Sequence, residues 1–250
     1  MNRVITACAL CALLLINTSA VARGVASIVY EDDTDYADVR ELMMHEAILD
    51  DAVEFINEIF TLERDIEIVV GTDDGPLYDP AISTIQIPYF FYTEIVERYR
   101  QIDSREIEQL EFADDAILHT LFHEIAHALT DQLEIPIVGK EEDAADGLAS
   151  VLLLEYYEDG AEMARNAAEL FAMEGEERGE LSKEDFWDEH SLDEQRYFST
   201  MCQIYGSDPE KYTALGDEME FTEDRREICV ETYQRLVDDW ITLLGGALAE

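Results

Sequence analysis

His123-Glu124-Ile125-Ala126-His127 is the stretch on which the reading of this chain turns. It lies between Ala113 and Thr130, a segment free of Pro and Gly, where Leu118, Leu121, Phe122, Ile125 and Leu129 recur at helical spacing. That period predicts an amphipathic helix with a buried stripe, and Asp114 and Asp115 suit a first turn, where acids answer the helix dipole. Four residues are about one turn, so His123 and His127 project from one face, and Glu124 follows closely enough to reach a metal-activated water. This is the donor arrangement of a zinc hydrolase. On an ordinary buried helix the same residues would be two core histidines and a surface Glu, so a third ligand decides between the readings.

Pro136 and Gly139 break the chain after that helix, and Glu141-Glu142-Asp143-Ala144-Ala145-Asp146 opens another. Acids in a first turn need no more explanation than the helix dipole. Their spacing adds something: Glu142 and Asp146 stand one turn apart, so one can ligate metal while the other accepts the free ring N–H of His123. Ala144, Ala145 and Ala149 are small enough to let the two helices pack closely. Glu142 is the expected third ligand, with Glu141 or Asp143 as fallback. His119 lies one turn before His123, too far along the axis to share the ion, and reads as a core or supporting histidine.

The chain begins with Arg3, an uncharged apolar run from Val4 to Ile16, and Ala20-Val21-Ala22, which has the small-x-small form of a signal-peptidase site. Residues 1–22 are therefore expected to be a removed export signal, carrying Cys8 and Cys11 with them. No later stretch is long and uncharged enough to span a membrane. Cys202 and Cys229 remain, and an exported chain is expected to oxidise such a pair, although two buried thiols are the alternative. Residues 23–38, with Glu31, Asp32, Asp33, Asp35 and Asp38, read as an acidic flexible leader, and residues 39–250 as a single domain. The formal charge of −43 repels nucleic acid and anionic lipid. Three lysines against 59 acids fit either a salty medium or a taste for cationic substrates.

Between leader and metal helix, Leu42, Leu49, Val53, Ile56 and Phe60 predict one long helix over 39–60, with His45 on its surface. Ile66, Ile68 and Val70 alternate with Glu67 and Val69 in a strand, and Ile82-Ser83-Thr84-Ile85-Gln86-Ile87 forms a second that Pro88 stops. That second strand is either structural or an edge above the site, able to bind an extended peptide through main-chain hydrogen bonds. The C-terminal third reads as helical. Ser191-Leu192-Asp193-Glu194 is a capping-box sequence, Asp208-Pro209 opens a further helix, and the last helix spans 223–244, stopped by Gly245-Gly246.

His-Glu-x-x-His followed by Glu142-x-x-x-Asp146 resembles the gluzincin branch of zinc peptidases, in which the later Glu is the third ligand. The metzincin pattern is absent, since Thr130 stands where its Gly would be and Leu133 where its third His would be. More closely, the chain is similar to a bacterial family of exported metallopeptidases whose activity is inferred from motifs. The resemblance rests on His123 to Leu129, Gly139 to Asp146, Glu189 to Arg196, and Cys202 to Pro209 with Cys229. It implies an α+β, mostly helical, zincin-like metallopeptidase fold with a small sheet, an active-site helix and a helical C-terminal part.

The expected chemistry follows. One Zn2+ per chain, held by His123, His127 and Glu142, activates a water, Glu124 is the general base, and a peptide bond of a peptide or protein substrate is hydrolysed without an acyl-enzyme. An oxyanion donor is still needed; His190 is the first candidate and Tyr197 the second, although the plainer reading of His190 is an ordinary residue at the entry of the next helix. The protein is expected to be a periplasmic or secreted monomer. The rivals are a non-catalytic zincin-fold protein of the cell envelope that binds metal or a partner, and an acidic calcium-dependent structural protein. The first leaves Glu124 without a purpose and the second leaves the histidine pair without one.

Overall fold

The computed structural model describes residues 23–102 and 105–249; the expected export signal lies outside them. The fold is α+β and mostly helical, with one small mixed sheet. The alternating Ile66, Ile68 and Val70 put their side chains in the core and form β2 (Ile66–Val70). On one side β2 pairs in parallel with β1 (Ala26–Tyr30), Ala26 opposite Ile66; on the other it pairs in parallel with β4 (Thr84–Ile87), Val70 opposite Ile87. The short β3 (Leu77–Asp79) runs antiparallel along the far side of β4, which gives the order β1-β2-β4-β3.

Two expectations change here. Residues 26–30 of the expected leader are an edge strand, because Ala26 packs in the core and Asn57 bonds both its N–H and its C=O, fixing the strand against the following helices. Ile82 to Ile87 is not an edge: the strand begins at Thr84, and β2 and β3 occupy both of its sides. The outer strands are β1 on one side and β3 on the other.

The long helix expected over 39–60 is two helices, α1 (Ala37–Glu46) and α2 (Ile48–Ile59), separated by Ala47 at a left-handed φ of 57°. A left-handed alanine costs about 1 kcal/mol; the break lets Leu49, Ala52, Val53 and Ile56 of α2 turn into the core. After β4, α3 (Tyr89–Arg100) leads to α4 (Glu106–Gln132), which starts earlier than its apolar stripe suggests. Leu121, Phe122 and Ile125 of α4 are fully buried, each worth about 1.5–3 kcal/mol relative to exposure. α5 (Glu141–Tyr156) lies against α4, and its small residues Ala145 and Ala149 are buried.

The C-terminal part is helical: α6 (Gly160–Arg178), the single turn α7 (Glu184–Trp187), α8 (Asp193–Ser207), α9 (Thr213–Glu218) and α10 (Glu223–Leu244). Leu192, not Ser191, caps α8: Gln195 Oε1 accepts the Leu192 N–H, while the Ser191 hydroxyl turns to Asp143. Asp208-Pro209 makes a turn closed by the Lys211 and Tyr212 N–H groups, and α9 starts beyond it. Thr222 caps α10 by accepting the Arg225 N–H. A disulfide, Cys202–Cys229, ties α8 to α10. The two helices approach so closely that a Cβ on Gly206 would meet the Cys229 carbonyl oxygen at 2.4 Å. No helix of the described residues is long and apolar enough to cross a membrane.

Candidate metal centre

The one-turn spacing on α4 brings the His123 and His127 rings face to edge, with Nε2 atoms 3.1 Å apart. Close packing of α5 on α4 then delivers Glu142: its Oε2 lies 3.0 Å from His123 Nε2 and 3.3 Å from His127 Nε2. A third imidazole comes from the link between α7 and α8, with His190 Nε2 2.9 Å from the same oxygen. His123, Glu142 and His190 each offer a ligand atom within 4.8 Å of the other two, so two compact trios share His123 and Glu142. Three imidazole nitrogens turned on one carboxylate oxygen suit a divalent cation, because imidazole nitrogen and carboxylate oxygen are both common ligands of zinc.

Each inner histidine is gripped from behind. The Nδ1–H of His123 faces Asp146 Oδ1 at 2.8 Å, and that of His127 faces Glu141 Oε1 at 2.8 Å. Such bonds fix the tautomer that leaves Nε2 free for a metal. Arg196 holds Asp146 in turn. The sequence located Asp146 by its spacing from Glu142; it offered Glu141 only as a substitute ligand, and the pairing with His127 depends on how α5 is rotated against α4.

The charges answer one another. Burial lowers the His123 pKa, but the bonds to Asp146 and Glu142 outweigh it and bring it to about 9. His127 is raised in the same way, its burial outweighed by Glu142 and Glu141. Burial raises the carboxyl of Glu142, yet the three imidazoles hold it far below the usual carboxylate range. His119 behaves differently: fully buried against Phe171, with Nε2 lacking a partner among the described residues, it is pushed down to about 4 and stays neutral in the core between α4 and α6.

Glu124 is buried beside the pair, and burial pushes its carboxyl up despite the two histidines. The Tyr78 backbone on the edge strand β3 lowers it slightly in return, and both residues line the same cleft. Pro76, Leu77, Tyr78 and Pro80 form one wall of a cleft of about 610 Å³, with Glu124, Glu142 and the three histidines on its floor. The Tyr78 hydroxyl donates to Asp131 near the end of α4 and pins the strand there. Of the strand expected to face the site, Ile82, Ser83, Thr84, Ile85, Gln86 and Ile87, no residue lines the cleft. Tyr197 is elsewhere too, bonded to Met219. Cys202 and Cys229 form their disulfide away from the cleft.

No curated protein and no solved structure matches the chain. A family pattern does match, over residues 30–244, from the end of β1 to the end of α10, and it takes in every residue of the donor cluster. The chain belongs to the DUF4344 family, described as "Putative metallopeptidase".

Proposed function

We propose that the protein is an exported zinc peptidase of the gluzincin type, with His123, His127 and Glu142 as ligands and Glu124 as general base. The observation that carries this is the convergence of His123 and His127 Nε2 on Glu142 Oε2, at 3.0 and 3.3 Å, beside a buried Glu124 in an open cleft. Zinc held there supplies a Lewis acid for the peptide carbonyl and lowers the pKa of the attacking water. Asp146 and Glu141 keep the proton on Nδ1 of each inner histidine. Glu124, its proton affinity raised by burial, takes the proton from the water and passes it to the leaving amine nitrogen. The outer edge of β3, along the cleft wall, offers an extended peptide main-chain hydrogen bonds, which suits peptide substrates of varied sequence.

Export is supported by the apolar run and Ala20-Val21-Ala22, and by a disulfide of the kind that persists in oxidising compartments. One chain supplies the whole donor set, so a monomer suffices. The test is Glu124→Gln, assayed for bound zinc and for hydrolysis of a mixed peptide library. Zinc is expected to be retained and hydrolysis lost; hydrolysis that survives removes Glu124 from the mechanism.

A further inference from the structure

We propose that His190 is a displaceable fourth ligand, closing in the resting protein the metal position that substrate must use; this rests on the metallopeptidase reading above. A zinc site with four protein ligands is closed, whereas a catalytic one keeps a position open for water or substrate. His190 Nε2 lies 2.9 Å from Glu142 Oε2, the oxygen on which the other two histidines converge. Its ring is parallel to that of His123 within 14°, centroids 6.2 Å apart. A residue serving only as donor to an oxyanion would stand off from the ligands by the length of a substrate carbonyl. His190 is instead in hydrogen-bond contact with one of them.

The way each ligand is mounted shows which one can leave. His123 and His127 sit on α4 with side chains 8% and 15% exposed; the His190 side chain is 45% exposed on the non-helical link before α8. That link is tied to the start of α5 by exposed hydrogen bonds: Lys140 Nζ donates to the carbonyls of Asp188 at 3.1 Å and His190 at 2.6 Å, and the Ser191 hydroxyl donates to Asp143 at 3.0 Å. Exposed ties of this sort exchange with water, so the link can swing while α4 and α5 keep their three ligands. Displaced by a peptide carbonyl, His190 remains at the rim, where Nε2 takes a proton from solvent and becomes an N–H donor, so the ligand becomes the donor that the sequence led one to expect.

The experiment uses the mature chain loaded with cobalt(II), as wild type, His190→Ala and Lys140→Met. Cobalt affinity is read by chelator competition, the ligand field by visible absorption, and access to the metal by titration with acetohydroxamate. His190→Ala is expected to bind cobalt at least about tenfold more weakly, to show a shifted visible band as water replaces a nitrogen, and to hold acetohydroxamate more tightly because nothing must be displaced. Lys140→Met, which keeps all four ligands but loosens the link, is expected to gain in acetohydroxamate affinity with a smaller loss of cobalt. Unchanged cobalt affinity in His190→Ala, or weaker acetohydroxamate binding there, overturns the inference and leaves His190 a donor only. A folded wild type that takes up no cobalt removes the metal centre itself, and the inference with it.

Discussion

Arg196 holds Asp146 by both carboxylate oxygens, Nε 2.7 Å from Oδ2 and Nη2 2.8 Å from Oδ1, while Asp146 Oδ1 faces His123 Nδ1 at 2.8 Å. The guanidinium also lies over Phe171, its Cζ 3.7 Å from the ring centre, which helps hold the fork in place. Burial raises the carboxyl of Asp146, but Arg196 and His123 outweigh it, so Asp146 is ionised and aimed. A chain of three groups thus runs from Arg196 on α8 through Asp146 on α5 to His123 on α4. Arg196→Lys keeps the charge and loses the planar fork. Metal affinity is expected to fall about 10- to 100-fold, measured by chelator competition, with the metal-free melting temperature changed far less. Equal affinity in variant and wild type would make Arg196 a purely structural residue.

Asp115, which its sequence position suggested for a first turn, sits in the middle of α4, where it accepts a hydrogen bond from Asn166. Burial, with Asp114, Glu162 and Glu111 nearby, pushes its pKa from 3.8 up to about 6. The folded protein therefore binds this proton more tightly than the unfolded chain does. Stability falls as pH rises from about 4 to about 6 and stays reduced above that. Asp115→Asn keeps an acceptor for Asn166 and removes the charge. It is expected to stabilise the protein at pH 7 by about 1 kcal/mol after allowance for solvent screening, and by little at pH 4. Urea denaturation at the two pH values decides it; a gain equal at both would contradict the linkage.

Joining α8 to α10, the Cys202–Cys229 disulfide closes a loop with a sequence separation of 27. Chain entropy alone makes its loss worth about 3 to 4 kcal/mol. The double variant Cys202→Ala, Cys229→Ala is expected to lose that much in denaturant unfolding. Its folded fraction should keep most of its metal affinity, because α5 and α6 still pack on α8 behind Arg196.

The pattern of what was readable follows from range. His123 with His127 and Glu142 with Asp146 are legible because each pair is one helical turn apart, a spacing that pattern reports directly, and Glu124 follows His123 in the same motif. The bounds of α10 are legible for the same reason, with a capping Thr222 before it and Gly245-Gly246 after it. β1 is hidden by the acids that follow Tyr30 and becomes a strand only through β2 and Asn57. β3 has three residues between Pro76 and Pro80, too few for alternation to register, and only its partner β4 defines it. The break at Ala47 carries no glycine or proline to announce it. The arrival of His190 at Glu142 depends on how α8 packs against α5 and α6, a relation across 48 residues that no local period records.

Metal content is the measurement that tests the central claim most directly. Purified wild type and Glu142→Ala, both folded and both supplied with zinc, would be compared by elemental analysis. The account predicts one zinc per wild-type chain and its loss in Glu142→Ala, since Glu142 is the one carboxylate on which the histidine nitrogens converge. A folded wild type without zinc, or a Glu142→Ala protein that holds it as tightly, would contradict the account and return His123 and His127 to the core of an ordinary helix.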